Sequence, residues 1–283
     1  MKGFLKTVLF LASVFLIIGL CLCVTAFAMG VKWLPETESF GRSDFSEGFS
    51  NVKSLSLDVG AGEVKIATGS TFNVEAKNIN KGSFESFVDS DGTLVVKYTK
   101  VPRFGTFNIG RWRWTTPIIT VTLPESFEAQ NLKMSLGAGE VYARKLMAKH
   151  ADLNVDAGAI HIEELRANYA NLKVDVGELS ADNVNFEGSN IECGVGHVSL
   201  NGTMTGSNYV KCDIGAVDLT LLGNPDNYSY SMNVDIGEIN LNGDKYSGLG
   251  NSTTTLGNSA AVNSFDVNCS IGKISLNIGN GDY

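Results

Sequence analysis

Carboxylates recur in this sequence at one fixed place. Asp156, Asp175, Asp213 and Asp235 each stand two residues before a glycine, with Gly194 interrupting the series. Carboxylates stacked one above another repel unless a cation bridges them, and calcium with its oxygen ligands is the metal that fits such a column. The simpler account is that each Asp makes hydrogen bonds beside a turn, as Asp commonly does. The Gly-rich nonapeptide pattern of calcium-binding β-rolls is absent, which favours the simpler account, so no cofactor is expected beyond that calcium option.

Cys193, Cys212 and Cys269 share a second column, three residues before a glycine, where other copies carry valine or leucine. A free cysteine there behaves as a small hydrophobe. The alternative is a disulfide between Cys193 and Cys212 outside the cell, although adjacent in-register strands give awkward geometry for one. His150, His161 and His197 are the only histidines and fall at different repeat positions, so neither a metal cluster nor a catalytic dyad follows. Glu140, Glu163, Glu164 and Glu178 are conceivable acids in the side groove of a β-helical enzyme. Outward strand positions are normally polar, however, and solvation accounts for them. No serine lies in a nucleophile-elbow context. No catalytic residue emerges, and no enzyme is expected.

The densest unusual stretch is RFGTFNIGRWRW, residues 103–114. Arg103, Phe104, Phe107, Arg111, Trp112, Arg113 and Trp114 are residue types that make binding hot spots or rest at a membrane interface. Trp112 and Trp114 share one face of a strand. These residues are the expected partner-binding surface; the alternative is a hairpin whose aromatics fold back on neighbouring strands.

A repeat must position all of these groups. Gly139, Gly158, Gly177, Gly196 and Gly215 follow one another at steps of 19 residues, with an early copy at Gly62 and later, looser copies at Gly237 and Gly272. Five residues before the glycine the column reads Leu57, Met134, Leu153, Leu172, Ile191, Val210, Met232 and Val267. The columns three before, one before, two after and four after are also apolar, the one-before column running from Ala61 to Val176, Val195, Ile214, Ile236 and Ile271. A period of two marks strands with one buried face, so all five columns are expected to point inward. The alternation slips by one residue across the glycine, where the chain must bend, and glycine suits a corner because it lacks a Cβ. Leu146, Leu165, Val184 and Leu222, seven after the glycine, point to a third short edge. Stacked in register about 4.8 Å apart, such coils join their columns into one core. Between residues 71 and 128 the segments FNVEAK, TLVVKYTK and PIITVTLP read as antiparallel strands covering the exposed end. Near residues 271–278 no cap is evident, which leaves that end open to association.

Composition agrees. The chain has 31 glycines and 5 prolines, as many short strands with tight turns require. A net charge of −8 leaves no basic surface for nucleic acid. Residues 7–28 carry no charge and are long enough to cross a bilayer as a helix. Lys2 and Lys6 precede them, which places the N-terminus in the cytoplasm and the body outside. The alternative is secretion after cleavage of a signal peptide at Ala26-Phe27-Ala28.

The expected fold is all-β: a parallel β-solenoid of about 19 residues per coil with an antiparallel N-terminal cap and one N-terminal transmembrane helix. Residues 1–6 form the cytoplasmic N-terminus, 7–30 the transmembrane anchor or signal segment, 31–50 a linker, 51–130 the first coil and cap sheet, and 131–283 the repeats.

The recurring V-D-V-G-E-L core, as at residues 174–179, the I-T-V-T-L-P strand at 119–124 and the N-terminal anchor together resemble bacterial envelope proteins of the putative-adhesin β-strand-repeat family. The likeness covers about residues 52–278. It implies a surface or adhesion role, with some relatives linked to envelope-stress systems, and offers no catalytic residues to carry over. The expected function is a non-enzymatic cell-surface scaffold or adhesin-like binding module outside the membrane, with envelope proteins or cell-wall glycan as partners. One alternative is an accessory or regulatory partner of an envelope-stress sensing system; a more distant one is an envelope polysaccharide-active enzyme.

Overall fold

Glycine packed on glycine sets the geometry of the body. In the computed structural model, which describes residues 42–99 and 116–279, Gly139 lies in register with Gly62. A Cβ on Gly158 would be driven into the carbonyl oxygen of Gly139, one on Gly177 into Gly158, one on Gly196 into Gly177, and one on Gly215 into Gly196. The corners of successive coils therefore touch backbone to backbone, and only glycine allows that approach.

The elements are β1 (Arg42–Phe49), β2 (Ser54–Gly69), β3 (Phe72–Asn80), β4 (Phe84–Val88), β5 (Thr93–Tyr98), β6 (Ile118–Pro124), β7 (Ala129–Leu222), β8 (Tyr228–Leu241), β9 (Asp244–Gly257) and β10 (Asn263–Gly279). They form one sheet in the order β1-β3-β6-β2-β7-β10-β8-β9. β7 winds through several coils, as side-chain bonds between residues 19 apart show: Asn171 to Asp152, Asn190 to Asn171, and Ser189 to Asn208. The described body is thus all-β and solenoid-like. Among the described residues no helix is long and apolar enough to cross a membrane. The expected anchor, residues 7–30, lies outside the described residues.

Three expectations need correction. First, the residues just before the corner glycines do not point inward. Val176, Val195, Ile214, Ile271 and Ile236 are 47 to 60 % exposed, while Val174, Leu179, Cys212 and Val217 are fully buried. Four consecutive residues, from two before the glycine to one after, take the outside of the bend, so the slip in alternation is the corner itself. Leu222, at the end of β7, is also exposed, whereas Leu146, Leu165 and Val184 are buried.

Second, the cap is mixed rather than wholly antiparallel. β5 and β6 run parallel to β2, over Ser54 to Val59 and Glu63 to Gly69 respectively, and so repeat its course on either side of the corner. β4 pairs antiparallel with β5, β3 with β6, and β1 with β3. β1 falls inside the stretch 31–50 expected as a linker, and Phe45 packs on Phe84 with ring centroids 5.0 Å apart.

Third, the last coils are out of chain order. β10 runs parallel to β7 on one side and to β8 on the other, with Gly272 opposite both Gly215 and Gly237. The end of the stack is β8, and β9 covers it as an antiparallel hairpin partner. The C-terminal strand is therefore interior.

The inward columns join into one apolar cluster from Leu55 to Ile278. Burying a valine or leucine contributes about 1.5–3 kcal/mol against leaving it exposed. Two polar side chains interrupt the cluster: Ser189 and Asn208 are buried, Ser189 Oγ donates to Asn208 Oδ1 at 2.9 Å, and the Asn208 amide donates to the carbonyls of Thr205, Gly206 and Ser264. Buried polar groups satisfied in this way do not unfold the core.

Candidate functional site

Because residues two and four after each corner glycine point in, those three and five after it point out. At the coils of Gly62, Gly139, Gly158 and Gly177 the first outward column is Lys65, Tyr142, His161 and Ser180, and the second is Ala67, Arg144, Glu163 and Asp182. Together they line an open groove of about 500 Å³ along the stacking direction. The rings of Tyr142 and His161 stack at 5.3 Å with an interplanar angle of 23°. Tyr142 Oη donates to Glu140 Oε2 at 2.7 Å, a bond that raises the phenol above its ordinary pKa. His161 Nδ1 and Ser180 Oγ are 2.7 Å apart, which ties two coils together. Lys65 Nζ sits 2.8 Å from Glu63, and Arg144 Nε lies 4.0 Å from Glu163 with both side chains largely in solvent.

This arrangement can recognise rather than transform. It offers an aromatic stack, cations at the end nearer β2 and carboxylates at the other, all on a rigid sheet and all wet. Charges held in solvent are weakly perturbed, whereas acid–base catalysis draws on desolvated, shifted groups.

The sequence-predicted residues are distributed elsewhere. The Asp column faces outward on the other side of the corner, and its members find partners along their own strands. Lys173 Nζ lies 2.8 Å from Asp175, Lys211 Nζ 3.0 Å from Asp213, and Asn154 Nδ2 donates to Asp156 at 3.0 Å. One oxygen of Asp235 has no hydrogen-bond partner. Among the described residues no group of three or more His, Cys, Asp or Glu side chains is placed to hold a metal ion.

Cys193, Cys212 and Cys269 are buried free thiols. The hydrogen bond to Cys193, reinforced by burial, pushes the Cys212 thiol far up. That same bond pulls Cys193 down, and burial raises Cys269. Arg103, Phe104, Phe107, Arg111, Trp112, Arg113 and Trp114 lie outside the described residues.

Sequence reading missed the groove. Its signal was present, because Tyr142 and His161 occupy the same repeat position one step apart, but His161 was compared only with the other histidines.

The stacked corner glycines and the β1–β3–β6 cover are shared with known proteins. Residues 52–277 match the family model Toastrack DUF4097. The chain belongs to that family. This agrees with the resemblance drawn from the repeat core. Among solved structures, a putative adhesin from Bacteroides fragilis is similar to this Toastrack chain at 13 % identity, covering 84 % of it and 98 % of the other, with a TM-score of 0.46. A putative cell adhesion protein from Clostridium sporogenes matches at 14 % identity over 84 % and 99 %, TM-score 0.34. A putative lipid binding protein from Parabacteroides distasonis matches at 14 % identity over 86 % and 96 %, TM-score 0.36. No curated protein matches.

Proposed function

We propose that this chain is a non-enzymatic binding module displayed outside the cell membrane, tethered through residues 7–30 with its N-terminus in the cytoplasm. The observation that carries the reading is the open groove around the stacked Tyr142 and His161 rings, lined by side chains that are already paired and solvated. A rigid stack of coils presents such a groove at fixed geometry, so little ordering entropy is lost on contact. Cell-wall glycan and envelope proteins are the partners this position outside the membrane makes available. The Asp column enters as a structural feature, paired along its strands, and calcium is not required.

The test is co-sedimentation of full-length protein, purified in detergent, with isolated cell-envelope fragments. Wild type pellets with the fragments, and Tyr142→Ala combined with His161→Ala reduces the bound fraction about tenfold, a loss of roughly 1.4 kcal/mol. Failure of wild type to pellet overturns the reading. Crosslinking in membranes that captures mainly one integral sensor protein, with no retention on wall, supports the regulatory alternative instead.

A further inference from the structure

We infer that the groove is one end of a longer track that binds an uncharged, extended β-1,4-linked glycan laid along the stacking axis, one sugar per coil. This rests on the binding-module reading above and names its ligand class.

The two outward columns do not stop at the groove. Beyond His161 and Glu163 they continue as Ser180, Ser199 and Asp218 in one row and Asp182, Asn201 and Thr220 in the other. All six are at least partly exposed. They are short, and they can hydrogen-bond, most of them as both donor and acceptor. Outward strand positions usually carry long charged side chains, which would stand up and break a flat surface. Here a level polar strip runs on from Tyr142 and Arg144, whose long side chains rise at one end.

Spacing selects the ligand. Side chains in each row repeat at the distance between stacked strands, about 4.8 Å. In a β-1,4-linked polymer of pyranoses with equatorial bonds at both ends the chain is straight, and its sugars recur at nearly that interval. Hydroxyl and acetamido groups on successive sugars therefore meet successive coils without accumulating a mismatch. An α-1,4-linked chain curves and leaves the rows after one or two units.

Preorganisation and charge point the same way. The His161–Ser180 contact at 2.7 Å and the His197–Asp218 contact at 2.8 Å lock side chains across neighbouring coils. A chain of net charge −8 repels an anionic polymer and leaves a neutral one free to approach.

Isothermal titration of the full-length protein in detergent with N-acetylglucosamine oligomers, from dimer to hexamer, tests the inference against maltohexaose as the α-linked control. Affinity is expected to rise about tenfold from dimer to hexamer, and maltohexaose to bind about tenfold more weakly than the β-linked hexamer. Ser199→Lys with Asn201→Lys, on the outer surface, returns the hexamer to the affinity of the dimer with an unchanged melting temperature. No dependence on length, equal binding of maltohexaose, or full hexamer affinity in the double variant overturns the proposal. If no oligomer binds while envelope fragments still pellet the protein through Tyr142, the glycan class falls and the binding-module reading stands. If neither binds, both fall.

Discussion

Cys269 lies in register with Cys212. The last strand of the chain therefore sits inside the stack, between β7 and β8, and both neighbours depend on it. Without β10 the end of β7 and the inner edge of β8 each lose a parallel partner, and Phe265, Val267, Ile274 and Leu276 leave the core. Deleting residues 263–283 is expected to lower the melting temperature by 10 °C or more, on the order of several kcal/mol for a body this size. In the intact protein, hydrogen exchange in β8, β9 and β10 should follow one common rate. Independent exchange of β8 and β9 would show that the hairpin holds without the inserted strand.

The two columns nearest the corner predict opposite responses to one substitution. Val174 is fully buried, so Val174→Asp places an unpaired carboxylate in the core and is expected to cost about 4 kcal/mol or more. Ile214 is half exposed on the outside of the bend, and Ile214→Asp should cost about 1 kcal/mol, mostly from lost contact with Val195 and Ile271 in neighbouring coils. Denaturant titration of both variants checks the pair. Equal destabilisation would restore the inward assignment of the second column.

The contrast between those columns marks what the sequence could tell. Strand columns anchored by Val174 or Leu179 were legible because a period of two, repeated at steps of 19, fixes one buried face. Ile214 was not, because an apolar residue in an outward position looks like one in an inward position until the bend is seen. Chain order misled at Gly237 and Gly272, since a repeat pattern carries similarity but not adjacency. β9 was invisible for a related reason: TTTLG has no repeat partner, and only pairing with β8 makes it a cap. Within the groove, Tyr142 and His161 were legible as a pair only through their shared repeat position, not through their types.

The buried thiols should be inert. Cys212 and Cys269 are held above the ordinary thiol pKa, chiefly by the Cys193 hydrogen bond and by burial respectively, so little thiolate exists at neutral pH. In a variant with Cys21→Ser and Cys23→Ser, a chromogenic disulfide reagent is expected to label no thiol in the native state within minutes and all three on unfolding. Fast native labelling would show that the core column opens to solvent.

Alkaline pH should weaken the C-terminal end of the body. Tyr230 is buried with its phenol donating to the Pro225 carbonyl at 3.2 Å, and burial pushes its pKa from 10.0 up to about 12. Burial raises Tyr228 as well. A phenol that ionises later in the folded state than in the unfolded state keeps its proton while the unfolded chain loses one. The stabilisation is therefore complete below pH 10 and is lost as pH rises from 10 toward 12. Melting temperature plotted against pH should fall more steeply across that window in wild type than in Tyr230→Phe. Parallel curves would remove Tyr230 as the cause.

Corner glycines give a sharper test, because two effects usually confounded in glycine are separated here. Gly158 has no left-handed backbone, yet a Cβ there would collide with the backbone of Gly139 in the next coil. Gly243, in the β8–β9 turn, has φ +94°, but a Cβ there would meet nothing within 4 Å. If backbone conformation dominated, Gly243→Ala would be the costlier change, at roughly 1–2 kcal/mol. If close stacking dominates, Gly158→Ala is costlier, because neither backbone can retreat without breaking the ladders on both sides. Overpacking of this kind costs typically 1–3 kcal/mol, occasionally more, and here the colliding atom is main chain rather than a flexible side chain. Gly158→Ala is therefore expected to lose about 3 kcal/mol or more in denaturant titration, and Gly243→Ala about half that or less. The reverse ranking would mean that the coils can spread at the corner, and the backbone contact between Gly158 and Gly139 would no longer explain the glycine column.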